Sequence, residues 1–230
     1  MTAARPYRPA SVLSRLQHGI ERLYRVETGL DVEAFMIGEA ARQQAGVARS
    51  PREQLLVTQP SADEVWLGLF LDRDAIANLE RHDPADDLDD GNFNDFCLAV
   101  EGVSHFVYVA LCAEIERAVT ALELELQAEV DKFACCLLLE LAHARHRRRR
   151  GNEYALRRRL YDDVRWADDL DATERDRYHR ANDGARRYSG ALERRFLTTG
   201  RILDLLAELR LFYRLDLDGK LGRIARLSSS

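Results

Sequence analysis

Lysine is nearly missing from this chain: of 34 Lys and Arg residues only Lys132 and Lys220 are lysines. The arginine bias is one of composition, and no function follows from it. Basic excess is missing too. The 39 acids leave a net charge of −5, which argues against the molecule as a whole being a nucleic-acid binder. Cysteine is sparse: Cys97, Cys112, Cys135 and Cys136 form no CxxC pair, and vicinal cysteines rarely bridge, so neither a disulfide framework nor a zinc cluster is expected. Small buried thiols in a reducing compartment account for all four. No uninterrupted apolar run reaches the ~18 residues needed to span a bilayer, and MTAARPYRPASVLSRL has no signal-peptide core. A cytoplasmic protein without a membrane partner is the expectation. HExxH, GxxxxGK(S/T), GxGxxG and GxSxG are all absent, which removes the short routes to a metalloprotease, a P-loop enzyme, a dinucleotide binder or a hydrolase.

What the chain does have is hydrophobic periodicity. Its 230 residues are read as a single domain. Residues 1–10 form a loose arm and residues 11–82 a helix plus a small sheet. A central helical hairpin occupies 92–150, and further helices fill 152–227. Ser11 caps a first helix whose face is Leu13, Leu16, Ile20 and Leu23, with Gly29 placed to end it. Val32–Ile37, Gln54–Gln59 and Glu64–Leu71 have strand character, the last two joined by the turn Pro60–Asp63. Both faces of Glu64–Leu71 are apolar, so that strand should be covered on both sides. Asp72 caps a short helix ending near His82.

The acidic connector Asp83–Asp95 imitates part of an EF-hand at Asp86, Asp90 and Gly91. It fails the match, because Leu88 and Cys97 occupy the third and twelfth ligand positions. A solvated loop is expected there instead.

In Asn92–Arg150 the stripe Phe93, Phe96, Val100, Val103 and Val107 is followed by a turn near Glu116. A second stripe then runs Leu122, Leu126, Val130, Phe133, Leu137 and Leu141. Farther on, Asp171–Glu174 resembles a capping box. Tyr178, Ala181, Ala185, Tyr188 and Leu192 continue as a helix, Gly200 interrupts it, and the last helix carries Leu221, Ile224 and Leu227. The fold class is therefore mainly α (α+β): a helical bundle built on a long antiparallel hairpin, with an N-terminal antiparallel sheet of two or three strands.

Three features carry candidate chemistry. A turn at Glu116 sets Glu101 level with Asp131 and His105 level with Gln127, with Glu125, Glu129 and Lys132 close by at ~1.5 Å rise per residue. Glu101, His105, Glu125 and Glu129 could bind a divalent transition metal or do acid–base work, as carboxylates and imidazole on facing helices do in bundle proteins. Glu140 and His143 have the Glu-x-x-His spacing but lie roughly 16 Å farther along the axis. The competing expectation, which needs no cofactor, pairs Glu101 with Lys132, and His105 with Glu129 or Gln127, because buried polar groups must be satisfied.

The second feature is the Arg-rich segment 145–159. Arg147, Arg148, Arg149, Arg150, Arg157 and Arg158 could hold phosphate or nucleic acid, although the register lays the acidic connector beside them and favours mutual neutralisation. The third is the aromatic set Tyr154, Tyr161, Trp166, Tyr178 and Tyr188, expected to pack rather than to stack bases. With no motif and several amphipathic helices, the expected function is non-enzymatic. It would work through protein–protein contact, as an accessory subunit or by self-association, with metal-dependent or acid–base catalysis and nucleic-acid binding as the alternatives.

Overall fold

The computed structural model describes residues 10–44, 52–61, 64–147, 153–164 and 170–228. Helix α1 (Val12–Tyr24) starts where expected, Ser11 accepting a hydrogen bond from the Ser14 amide at 3.1 Å. It ends four residues short of Gly29, at Arg25, which takes a left-handed φ of 54°. Arg25 itself supplies the left-handed cap, its amide and that of Val26 donating to the Arg22 and Glu21 carbonyl oxygens, while Arg210 and Arg214 donate to the remaining carbonyl oxygens of Leu23 and Tyr24 at 2.7 and 2.9 Å.

Val32–Ile37 is not a strand. Asp31 accepts from the Glu33 amide and winds Val32–Phe35 into a 3₁₀ turn, leaving a single parallel bridge from Met36 to Leu69. A short helix, α2 (Glu39–Gln44), follows. The sheet itself is an antiparallel hairpin of β1 (Glu53–Ser61) and β2 (Glu64–Leu71), with Glu53 opposite Leu71 and Thr58 opposite Trp66. The side-chain alternation sets Glu53, Leu69 and Leu71 against Gly102, where an added Cβ would lie 2.9–3.1 Å from them. Gly68 meets Ile37, and the Arg42 guanidinium stacks on Phe70 at 4.6 Å. The base of the hairpin is thus covered on both faces. Its far end is not: Val57, Val65 and Trp66 are 48, 40 and 61% exposed.

Asp72 caps α3 (Arg73–Arg81) through the amides of Asp74 and Ala75. The connector then closes on Asn92, whose buried amide donates to the His82 and Asp87 carbonyl oxygens and accepts from the Asp89 amide. The central hairpin is α4 (Phe93–Glu114) and α5 (Ala121–Arg147), turned at Glu116, which has a left-handed φ of 54°. Lys132 bonds Glu101, Ser104 bonds Asp131 and Tyr108 bonds Glu123, which is the antiparallel register expected from that turn. Counting only uninterrupted apolar runs passed over α4. It is the one described helix long and apolar enough to cross a membrane, but most of it is buried inside the protein.

Helix α6 (Glu153–Tyr161) packs on α5 and on α7 (Ala172–Leu192), which opens with a complete Asp171/Glu174 capping box. A π-helical turn, Glu193–Leu197, and Gly200 (φ 68°) lead into α8 (Ile202–Tyr213) and then α9 (Leu217–Ser228). The continuous core runs from Leu13 and Ile20 through Val103, Phe106, Phe133 and Leu137 to Tyr188, Phe212 and Ile224.

Candidate functional site on the hairpin

Helical spacing gathers the ionisable residues on one flank of the hairpin. Glu101 and His105 sit four apart on α4, and Glu125, Glu129 and Lys132 four and three apart on α5. Lys132 Nζ lies 3.0 Å from Glu101 and 2.7 Å from Glu129, so the expected Glu101–Lys132 pair forms. His105 does not pair with Glu129 or Gln127. Its Nδ1 faces Glu53 of β1 at 3.3 Å, its Nε2 faces Glu125 at 3.6 Å, and Arg177 of α7 closes the far side 3.6 Å from Glu125. Gln127 points to the opposite flank. Sequence reasoning missed Glu53 and Arg177 because sheet and helix docking brings them in. The available signal was Glu53 itself, an acid on the same strand face as Leu55.

Four carboxylates meet three cationic side chains here, and burial sets their protonation. Desolvation pulls the His105 pKa down, but Glu53, Glu125 and Glu101 together push it up to about 9. Burial raises Glu125 to about 7, with His105 opposing, and also raises Glu53 and Glu129. Glu101 goes the other way, because Lys132 and His105 outweigh its burial. Lys132 is held charged by Glu101 and Glu129 against its own desolvation.

The network is incomplete. His105 Nε2, Glu129 Oε2 and Arg177 Nε are buried without a hydrogen-bond partner, since 3.6 Å is too long for one. Among the described residues no group of three or more His, Cys, Asp and Glu side chains is arranged to hold a metal ion. Glu101 is bound to Lys132 at 3.0 Å. His143 lies apart and meets the Ala85 carbonyl oxygen at 2.9 Å.

Directly behind this cluster lies a second polar layer. Asp131 accepts from Tyr24, Ser104 and Gln127, and Gln127 in turn accepts from Lys220 at 2.9 Å. Lys220 is fully buried, donates to the Phe212 carbonyl at 3.1 Å and lies 4.9 Å from the ring centres of Tyr108 and Phe212. Burial lowers its pKa to about 7, against the pull of Glu123 and Asp131. Burial also raises Asp131 to about 6, with Ser104, Tyr24 and Gln127 opposing. The stripe of α9 is therefore Lys220, Ile224 and Leu227, with Leu221 39% exposed rather than in the core. A lysine at a core position in a chain with only two lysines was the sequence signal for this layer.

The arginine segment is only partly within view: Arg148, Arg149 and Arg150 lie outside the described residues, as does the side chain of Arg147. Arg157 is bound to Glu193 at 2.9 Å, and Arg158 faces Asp163 at 3.6 Å. The acidic connector is met by Arg159, which pairs with Asp90 at 2.9 Å and stacks on Phe93 at 3.6 Å. Trp166 and the Tyr154 side chain also fall outside the described residues. Tyr161 donates to the Glu129 carbonyl, and Tyr188 stacks on Phe212, so both pack as expected. In comparisons with family models, with curated proteins and with solved structures, nothing matches this chain.

Proposed function

We propose that this protein acts through protein–protein contact without chemistry of its own, and that its contact element is the β-hairpin, pairing with a second copy of the chain along β1. The observation that supports this is the outer edge of β1. From Gln54 to Ser61 it carries no charged residue, no strand pairs with it among the described residues, and the adjoining hairpin end exposes Val57, Val65 and Trp66. Edge strands are ordinarily defended by charge, proline, a bulge, short length or a cover, because unpaired N–H and C=O groups template further pairing. On β1, Pro60 and the register shift between Thr58 and Ser61 guard only the far end and leave residues 54–58 open. A two-stranded sheet is marginal alone. Two copies related by a two-fold axis would join into a four-stranded sheet, satisfying the open backbone groups of β1 and bringing the exposed Val57 next to the added strand.

Sedimentation over a wide concentration range tests this. The wild type should dimerise, and replacing the exposed Val57 and Thr58 together with lysine should leave a folded monomer. A wild type that stays monomeric throughout, or a dimer unaffected by the double variant, overturns the proposal.

The unpartnered His105 Nε2 supports a second reading, acid–base or metal chemistry at the charged cluster, because strongly shifted titratable groups mark functional sites. Elemental analysis of protein purified without chelator decides the metal part. A stoichiometric metal lost in both Glu101→Ala and His105→Ala would move the function to this cluster, and no metal in the wild type removes that part.

A further inference from the structure

Two of the four cysteines face each other across the central hairpin. Cys97 precedes Glu101 by one turn of α4, and Cys136 follows Lys132 by one turn of α5. The antiparallel pairing that holds Lys132 Nζ 3.0 Å from Glu101 therefore sets the two thiols level on the same flank. There they meet. Burial, and then the hydrogen bond with Cys97, raise the Cys136 thiol well above its usual pKa.

Their surroundings give the two sulfurs different roles. Cys97 is half-buried and Cys136 fully buried, so a small oxidant reaches the first before the second. The Lys132 ammonium stands close enough to interact with charge on Cys97. An accessible thiol beside a second thiol that can resolve its oxidised form is the arrangement of a redox-responsive pair, whereas a buried thiol alone is inert. Cys112 is of the inert kind, buried and engaged by Arg117 at 2.9 Å. Cys135 also lies near Cys97, but it is turned about 100° around α5 from Cys136 and faces α1 with Leu138 and Leu139.

We propose that Cys97 and Cys136 form a reversible thiol–disulfide switch that responds to hydroperoxide and staples α4 to α5. The Cys97 sulfur, as thiolate, attacks one peroxide oxygen. The O–O bond breaks, Cys97 becomes a sulfenic acid, and the other oxygen leaves as hydroxide or alkoxide and takes up a proton. The Cys136 sulfur then forms the S–S bond as the S–O bond breaks, and the departing hydroxide takes the Cys136 proton and leaves as water. A dithiol returns both residues to thiols by exchange. The product is an altered chain, so the switch stands beside the contact function rather than replacing it.

Mass-spectrometric peptide mapping of the full chain tests this, after one equivalent of hydrogen peroxide at pH 8 and with free thiols blocked before unfolding. The wild type should lose two of its four free thiols and yield a Cys97–Cys136 link within one chain. The link should raise the thermal midpoint by roughly 5 °C or more, because it constrains the unfolded chain. Dithiothreitol should reverse both changes. Cys136→Ala should stop at a sulfenic acid that dimedone captures on Cys97, and Cys135→Ala should still form the link. A wild type that forms no disulfide, or links Cys97 to Cys135 or to another chain, overturns the proposal. So does oxidation of Cys112 ahead of Cys97.

Discussion

Ser104 and Asp131 face one flank of the helical hairpin, and their chain neighbours His105 and Lys132 face the other. On the first flank every oxygen of Asp131 has a donor, Lys220 is held by an amide, backbone carbonyls and aromatic rings, and among the described residues the Tyr213 hydroxyl alone is left over. On the second flank more charges meet, yet His105 Nε2, Glu129 Oε2 and Arg177 Nε are left over. Low dielectric makes this difference expensive, because a closed polar network gains from the same desolvation that penalises an open one. The closed layer joins α1, α4, α5 and α9 and reads as a packing device. The open layer joins β1 to the helices and leaves buried donors and acceptors unspent.

The largest effect should come from breaking the closed layer. Asp131→Ala strands Tyr24, Ser104 and Gln127 together and should cost roughly 3–5 kcal/mol in chemical denaturation. A cost below about 1 kcal/mol would mean that the layer is not what holds the bundle.

Lys132→Met leaves Glu101 and Glu129 buried without their cation. Its cost should reach roughly 2–4 kcal/mol at neutral pH and shrink toward acid, where both carboxylates can protonate. A pH-independent cost would show that their charge is not the issue.

His105 gives a window set by its raised pKa. A base raised from 6.5 to about 9 contributes stability that is fully present below the lower value and is lost as pH rises through the upper one. The stability gap between wild type and His105→Gln should therefore narrow from pH 7 to 9, by an amount on the order of 2 kcal/mol. Imidazole resonances titrating near 6.5 would sink this.

Smallest should be Gly102→Ala, costing about 1–2 kcal/mol because the methyl group displaces Leu71, Leu69 and Glu53. Its sharper sign is a fall in the His105 pKa as Glu53 moves off the ring, read by the same resonances.

The sequence disclosed what is local and periodic. The α4 and α5 stripes, the turn at Glu116, the alternation of Glu64–Leu71 and the caps at Ser11, Asp72 and Asp171 all follow from spacing and capping chemistry, and all are present. The hairpin register followed as well, and it brought Glu101 to Lys132. What stayed hidden depends on partners far away in the chain. Asp31 overrode the strand character of Val32–Ile37. Arg25 took the left-handed cap assigned to Gly29, with Arg210 and Arg214 on the carbonyl groups just before it. Glu53 rather than Glu129 became the partner of His105, because strand docking against Gly102 brings it there. Lys220 and Leu221 differ by one helical step, and a rule that assigns lysine to solvent picks the wrong one.

The two arginines that cap α1 also set a timetable. Leu23 and Tyr24 precede them by 187 and 190 residues, so during synthesis at roughly 5–20 residues per second the finished end of α1 waits about 10–40 s for its caps. Until then the last two carbonyl groups of the helix lack their partners, although α4 can already cover most of its apolar stripe. Closing so long a loop falls late in assembly, when α8 arrives. Nascent chains stalled before Arg210 should therefore be the most chaperone-dependent species this protein forms.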